Sequence, residues 1–466
     1  MFSSNAIRYS GSRAAGAGRV IAAFGLATAA VVTAPISLQA QDSRGDTSRK
    51  GSLLVFPAVE IKWDSHNRVI QDTFLAISND FARGVDLQFY FLNGDEPLPE
   101  RFVGFPEKRI AEFEPGWNKM DCRVYLTPNQ PMYWSAARGT PGGCQPFSVL
   151  DPPAGFQLYG RPDPETDGAT LVLRGTVLVW AVGYFDHPEG WQEIRWNHLY
   201  GSAMTVNYAE GTAWEYNAQA FQALSTTPNG SPTDGQPGQL LLDGNEYEAP
   251  PAKLLIDFYA TGSQALSLDD PSEPGSVSMD TDLTLHPASF DFRQDNDGPV
   301  ITKVEFEVFN QNEAKLSGQR RCITCWDQTL MSRYITAVGV PNYFVRDLLG
   351  TDKGQARIDG VASVECDYLE HYGIDRKKSE NAALLGVASK ILSFDADANR
   401  DATGLNLVNI GEEPARVLYD VFVGENGDLP IQETGESRQG PVSKSSTKTD
   451  TGRTTVPGRV EDLRGE

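Results

Sequence analysis

The chain has 466 residues, a formal net charge of −22, 44 glycines, 29 prolines and five cysteines. That length allows two or three domains, each burying its own core. So acidic a chain repels phosphate backbones and anionic lipid headgroups, which argues against nucleic-acid or membrane-surface partners.

Residues 1–40 have the anatomy of a secretory signal peptide. Arg8, Arg13 and Arg19 form a positive start without acidic residues, an apolar stretch runs from Val20 to Ala34, and Ala40 precedes the polar Gln41-Asp42-Ser43. At ~1.5 Å per residue the apolar stretch falls short of the ~30 Å a membrane-spanning helix must cover. Removing residues 1–40 takes away three arginines and no acidic residue, moving the net charge from −22 to −25. The expected location is exported: periplasmic, extracellular or cell surface. No later segment approaches the length of a second span, so no membrane insertion is expected after cleavage.

The mature chain alternates with a period of two. Val85, Leu87, Phe89 and Phe91 fall on one face, with Asp86, Gln88 and Tyr90 opposite. Val304, Phe306 and Val308 repeat the pattern, as do Val417, Tyr419, Val421 and Val423. Thr170 to Val182 reads as a long strand with a bulge or bend at Gly175. The expected fold is all-β: tandem antiparallel β-sandwich (Ig-like) domains after the signal peptide. Residues 50–225 make the first sandwich and residues 252–432 the second. Residues 226–251, rich in proline and glycine, read as a linker in which Leu240-Leu241-Leu242 docks as a short strand. Leu268 to Asp282 reads as an acidic loop, and residues 433–466 as a disordered tail.

The halves echo one another. Gly175 and Gly201 are 26 residues apart, as are Gly360 and Gly386. The opening Ser52-Leu53-Leu54-Val55-Phe56 recurs as Lys253-Leu254-Leu255-Ile256-Asp257. A second echo, at a constant offset of 330, sets Leu75, Ile77 and Asn79 beside Leu405, Leu407 and Asn409. With Asp72-Thr73-Phe74-Leu75-Ala76-Ile77-Ser78-Asn79 and Glu193-Ile194-Arg195-Trp196-Asn197-His198-Leu199-Tyr200-Gly201, the chain resembles a loose group of exported bacterial proteins with duplicated β-rich domains. The resemblance implies a bacterial source and a β-rich fold, and it brings no catalytic residues.

Five cysteines suit an oxidising compartment. Cys122 and Cys144, 22 residues apart, are expected to be bonded. Cys322, Cys325 and Cys366 leave an odd member. Cys322-Ile323-Thr324-Cys325 fits a redox dithiol or half a zinc site, but nothing supplies the remaining ligands. The plainer reading bonds Cys366 to one of the pair.

Calcium is the most specific cofactor candidate, because Asp395, Asp397, Asn399 and Asp401 place oxygen ligands at alternate positions. Arg400 replaces the glycine of an EF-hand loop, leaving an irregular calcium loop or a solvated polar loop. Seven of the eight tryptophans precede the linker. Trp191, Trp196, Trp134 and Tyr133 are the candidate ligand-binding aromatics, set against a reading in which the large aromatics fill the core. His187, Glu189 and His198 match no zinc signature. No nucleophile elbow, phosphate loop or dinucleotide fingerprint occurs. The reading is therefore a secreted or cell-surface, non-catalytic binding or structural module, with a glycan or a cell-envelope protein as partner. The alternatives are a secreted hydrolase with an unassigned carboxylate site and a calcium-stabilised passive module.

Overall fold

The computed structural model describes residues 49–95, 119–140, 168–185, 190–235, 237–266, 276–288, 301–324, 326–335, 339–361, 383–394 and most of 400–414. Shorter pieces lie between 143 and 166, at 374–375 and at 423–424. The signal-peptide region, the acidic run Asp395 to Asn399, the Val417–Val421 alternation and the 433–466 tail lie outside the described residues. The fold is all-β, with antiparallel sheets packed as sandwiches.

In the first sandwich the back sheet runs in the order Lys119–Leu126, Val85–Asn93, Leu171–Tyr184, Leu53–Trp63, Gln219–Phe221. The front sheet runs Thr212–Asn217, Leu199–Asn207, Val69–Asn79, Pro131–Ser135. The two meet at a hairpin, where Lys62 pairs with Gln71 and Trp63 with Val69, and at the antiparallel Gly51–Leu199 bridge. Asp64 closes that turn by accepting the amides of His66 and Arg68 at 2.8 and 2.9 Å. Period-two patterning does the rest: Leu54, Phe56, Ile61, Phe89 and Phe91 of the back sheet meet Leu75, Ile77, Trp134, Leu199 and Ala203 of the front in one core. Each fully buried large apolar side chain contributes about 1.5–3 kcal/mol of transfer free energy.

The second sandwich is built in the same pairing order. Its back sheet runs Lys315–Thr324, Ile301–Asn310, Lys353–Val361, Pro251–Tyr259, Val408–Pro414. Its front sheet runs Ser263–Leu266, Ser276–Pro287, Leu384–Phe394, Arg400–Asn406, with Asp327–Leu330 also beside Ser276–Pro287. Gly201 and Gly386 thus sit on the corresponding front strands, and the two opening strands correspond as well. The strand in the place of Val69–Asn79, however, is Ser276–Pro287 and not the one containing Leu405. Ser276–Pro287 also begins inside the stretch read as an acidic loop. Asp280 and Asp282 mask an apolar alternation through Met279, Leu283 and Leu285, which are buried.

Residues 226–251 do not behave as a free spacer. Leu240, Leu242 and Tyr247 are fully buried in a third core with Leu53, Val55, Leu178 and Trp180 of the first back sheet. Ala288, Ala383 and Leu385 of the second sandwich complete that core. The prolines and glycines serve tight turns here, with Gly230, Gly238 and Gly244 all at positive φ. Apolar burial holds the segment as a strap between the sandwiches.

The register between Leu53–Trp63 and Leu171–Tyr184 slips between Phe56 and Val59, opposite Gly175. Pro57 lies in this irregularity, as a residue with no amide to give a sheet should. Its carbonyl accepts the indole N–H of Trp326 at 2.6 Å. Gly94 leaves room for that ring, because a Cβ there would overlap it. The tryptophan that follows the Cys322–Cys325 pair therefore plugs the second sandwich into the first.

Candidate functional site

The outer face of the first front sheet is the most distinctive surface of the described residues. In its three adjacent strands Leu75, Ile77, Leu199, Ala203, Met132 and Trp134 point inward. The alternate positions point out. Register sets Tyr133 beside Ala76 and Ala76 beside Ser202. One row away lie Tyr200 and Ser78, and on the other side Met204 and Phe74. Tyr133 is 70% exposed, Met204 41% and Tyr200 38%. Small residues thus floor a shallow surface bordered by Tyr133 on one side and Tyr200 and Met204 on the other. Two strand spacings and a two-residue offset put the tyrosine backbones roughly 12 Å apart.

At one end of this face Asp72 is buried beneath the 135–138 turn. Its carboxylate accepts Ser135 Oγ at 2.6 Å and the Ala137 amide at 3.0 Å. Burial pushes its pKa up against those hydrogen bonds and the charge of Arg138. Tyr208, half exposed nearby, is also raised, by burial and then by Asp72. Glu215, exposed on the neighbouring strand, is paired in register with Met204.

The corresponding surfaces of the second sandwich differ. Leu385 and Val387, on the strand corresponding to Leu199–Asn207, are buried in cores shared with the first sandwich. The outer face of the second back sheet is tiled with ion pairs: Lys253 with Asp359 at 2.8 Å, Lys315 with Glu307 at 2.6 Å, and Arg320 with Glu305. Its aromatic rings are covered, Tyr259 by Lys353 and Lys390 and Phe309 by Arg357. An open aromatic face belongs to the first sandwich.

Of the aromatics singled out in the sequence, only Tyr133 lies on this face. Trp134 is in the core, stacked on Phe91 at 5.1 Å, with its indole N–H bonded to the Cys144 carbonyl at 2.9 Å. Trp196 is buried, donating to Asn79 Oδ1 at 3.0 Å. Neither offers a ligand an open ring, so both leave the candidate set. Strand parity explains Trp134: neighbours on a strand face opposite ways. Trp191 is half-buried at a different edge, its ring covered by the Arg123 guanidinium at 3.8 Å and met by Tyr184 at 5.6 Å. Tyr200, Met204 and Phe74 were missed. The legible signal was the apolar residues on the polar parity of the Leu199–Asn207 strand.

Cys122 and Cys144 are disulfide-bonded. Cys322 is also disulfide-bonded, while Cys325 and Cys366 lie outside the described residues. Of the calcium set, Asp401 lies on the strand Arg400–Asn406, paired with Leu392, and the other three lie outside. Among the described residues no group of three His, Cys, Asp or Glu is arranged to hold a metal. His187 and Glu189 lie outside as well. His198 is engaged on both ring nitrogens, by Asp80 at 3.0 Å and Asn229 at 2.7 Å, and stacks on Phe81. That arrangement ties His198 to the Asp80 and Asn229 loops.

The fold and this face define an all-β tandem-sandwich protein with an open aromatic sheet surface among the described residues. No protein-family model matches the chain, and no curated protein matches it. Among the described residues no helix is long and apolar enough to cross a membrane.

Proposed function

We propose that this is an exported, non-catalytic binding module, and that the outer face of the first front sheet holds a neutral glycan. The observation that carries the reading is the asymmetry of the faces. One exposes Tyr133, Tyr200 and Met204 around a small-residue floor, while the comparable surfaces of the second sandwich are buried or ion-paired. Tyrosine faces suit the C–H surfaces of sugar rings, and the hydroxyls of Ser78 and Ser202 suit sugar oxygens. The acidity of the chain disfavours anionic ligands. The shared pairing order of the sandwiches supports a duplication in which one copy kept a free face and the other was recruited to the interdomain core. The Cys122–Cys144 disulfide suits an oxidising compartment.

The test is binding to an array of neutral and charged glycans, with wild type and a Tyr133→Ala/Tyr200→Ala double variant. The expected result is retention by neutral glycans that the double variant loses at least about tenfold. Absence of wild-type binding, or equal binding by both proteins, would sink the proposal.

A further inference from the structure

The strap of residues 226–251 is held by two buried carboxylates from different elements. Glu193 closes the edge strand Trp191–Glu193, and its side chain accepts the Gly238 amide at 3.0 Å. Its own carbonyl accepts the Thr233 amide at 3.0 Å. Glu246, within the strap, accepts Thr233 Oγ1 at 2.6 Å and the Leu241 amide at 3.0 Å. Gly235 packs directly on the Glu246 carboxyl, where any Cβ would overlap it. Glu193 is 4% exposed and Glu246 2%. One site therefore gathers Thr233, Gly235, Gly238 and Leu241, the residues that shape the strap before Leu242 and Tyr247 enter the interdomain core.

The charged groups acting on Glu246 are Glu193 from the edge strand and Asp243 from the preceding turn, both acidic. Two neighbouring carboxyls in a dry site are tolerated when one carries a proton. A protonated Glu246 can donate to Thr233 Oγ1 and still accept the Leu241 amide, so the hydrogen-bond set survives protonation. Loss of that proton leaves a buried anion facing two others. The relief open to the fold is to lift the strap and admit water.

We propose that the 226–251 strap is a proton-operated latch, docked between the sandwiches while the Glu193–Glu246 site holds a proton and released when that proton leaves. Burial, then the Glu193 and Asp243 charges, push the Glu246 pKa up to about 8. With an unfolded value of 4.5, docking is strongest in acid and weakens as pH rises from 4.5 toward 8, beyond which it levels off.

The experiment is amide hydrogen exchange of the full chain from pH 5 to pH 9, with rates converted to protection factors and read at Thr233, Gly238 and Leu241. Wild-type protection should fall at least about tenfold between pH 6 and pH 8. Glu246→Gln should flatten that profile, and Glu193→Gln should move the fall to lower pH and make it smaller, because one charge that raises the Glu246 pKa is gone. Protection that is level across the range in wild type overturns the latch, whether or not either variant folds. So does a Glu246→Gln profile that matches wild type.

Discussion

The indole N–H of Trp326 donates to the carbonyl of Pro57 at 2.6 Å, across 269 residues of chain. The bond joins the two sandwiches at the point where the opening strand loses register. Arg174 lies over the same ring at 5.5 Å and is itself paired with Asp95 at 3.0 Å. A buried tryptophan in this setting acts as a peg, and its removal exposes the socket and leaves the Pro57 carbonyl with the Thr176 hydroxyl at 3.4 Å.

Trp326→Ala is therefore expected to destabilise the protein by about 3–5 kcal/mol in urea unfolding. Trp326→Phe, which keeps most of the apolar contact but removes the shorter of two hydrogen bonds to the Pro57 carbonyl and leaves that from Thr176 Oγ1 at 3.4 Å, should cost about 0.5–1.5 kcal/mol. A loss under about 0.5 kcal/mol for the alanine variant would show that the two sandwiches do not depend on this peg.

Adjacent residues on the Pro131–Ser135 strand should respond in opposite ways. Tyr133→Ala, on the open face, should shift stability by no more than about 0.5 kcal/mol. Trp134→Ala, inside the core against Phe91, should cost about 3–5 kcal/mol. Thermal melts of the two variants check this, and similar shifts would contradict the assigned strand parity.

Two carboxylates should titrate in opposite directions. Backbone and side-chain hydrogen bonds from Arg68 hold Asp64 down at about 2. The turn it closes is therefore favoured above the ordinary aspartate value of 3.8, and that preference is lost as pH falls through about 2. Glu246 behaves inversely, so the stability it confers is full below 4.5 and is lost as pH rises to about 8. Carboxyl carbon chemical shifts followed against pH would read both groups, and a Glu246 resonance that titrates near 4.5 would refute its assignment.

Reduction of the Cys122–Cys144 bond opens a loop with a sequence separation of 22. The chain-entropy model puts the cost at about 3 kcal/mol. The Cys144 carbonyl also holds the Trp134 indole, so the loss should appear in near-ultraviolet tryptophan signals together with the melting temperature. Unchanged melting after verified reduction of this bond would show that the loop is held without it.

Much of the architecture was legible in the residues. Val85, Leu87, Phe89 and Phe91 announce their strand and its buried side, because a pleated strand sorts alternate side chains without help from distant residues. Val304, Phe306 and Val308 announce theirs for the same reason. The site was less legible. Trp134, Trp196 and Tyr133 look alike as aromatic candidates, yet one strand step decides that Tyr133 faces out and Trp134 in. The strap was legible only in part: Leu240-Leu241-Leu242 marked a docking segment, but proline and glycine describe backbone conformation and gave no sign that Tyr247 would join a core.

Local alternation, turn chemistry and cysteine spacing by themselves determined that this chain is an all-β protein with a Cys122–Cys144 bond. These are short-range or single-chain-entropy effects, written within a few tens of residues. Only the tertiary structure decided which sheet faces remain open, because that depends on what the rest of the chain brings to them. The second sandwich covers its own front strand with Leu385 and Val387 against the first, while Tyr133 and Tyr200 stay exposed among the described residues. The same long-range packing seats Trp326 on Pro57 and closes Glu193 over the strap, contacts that no local pattern encodes.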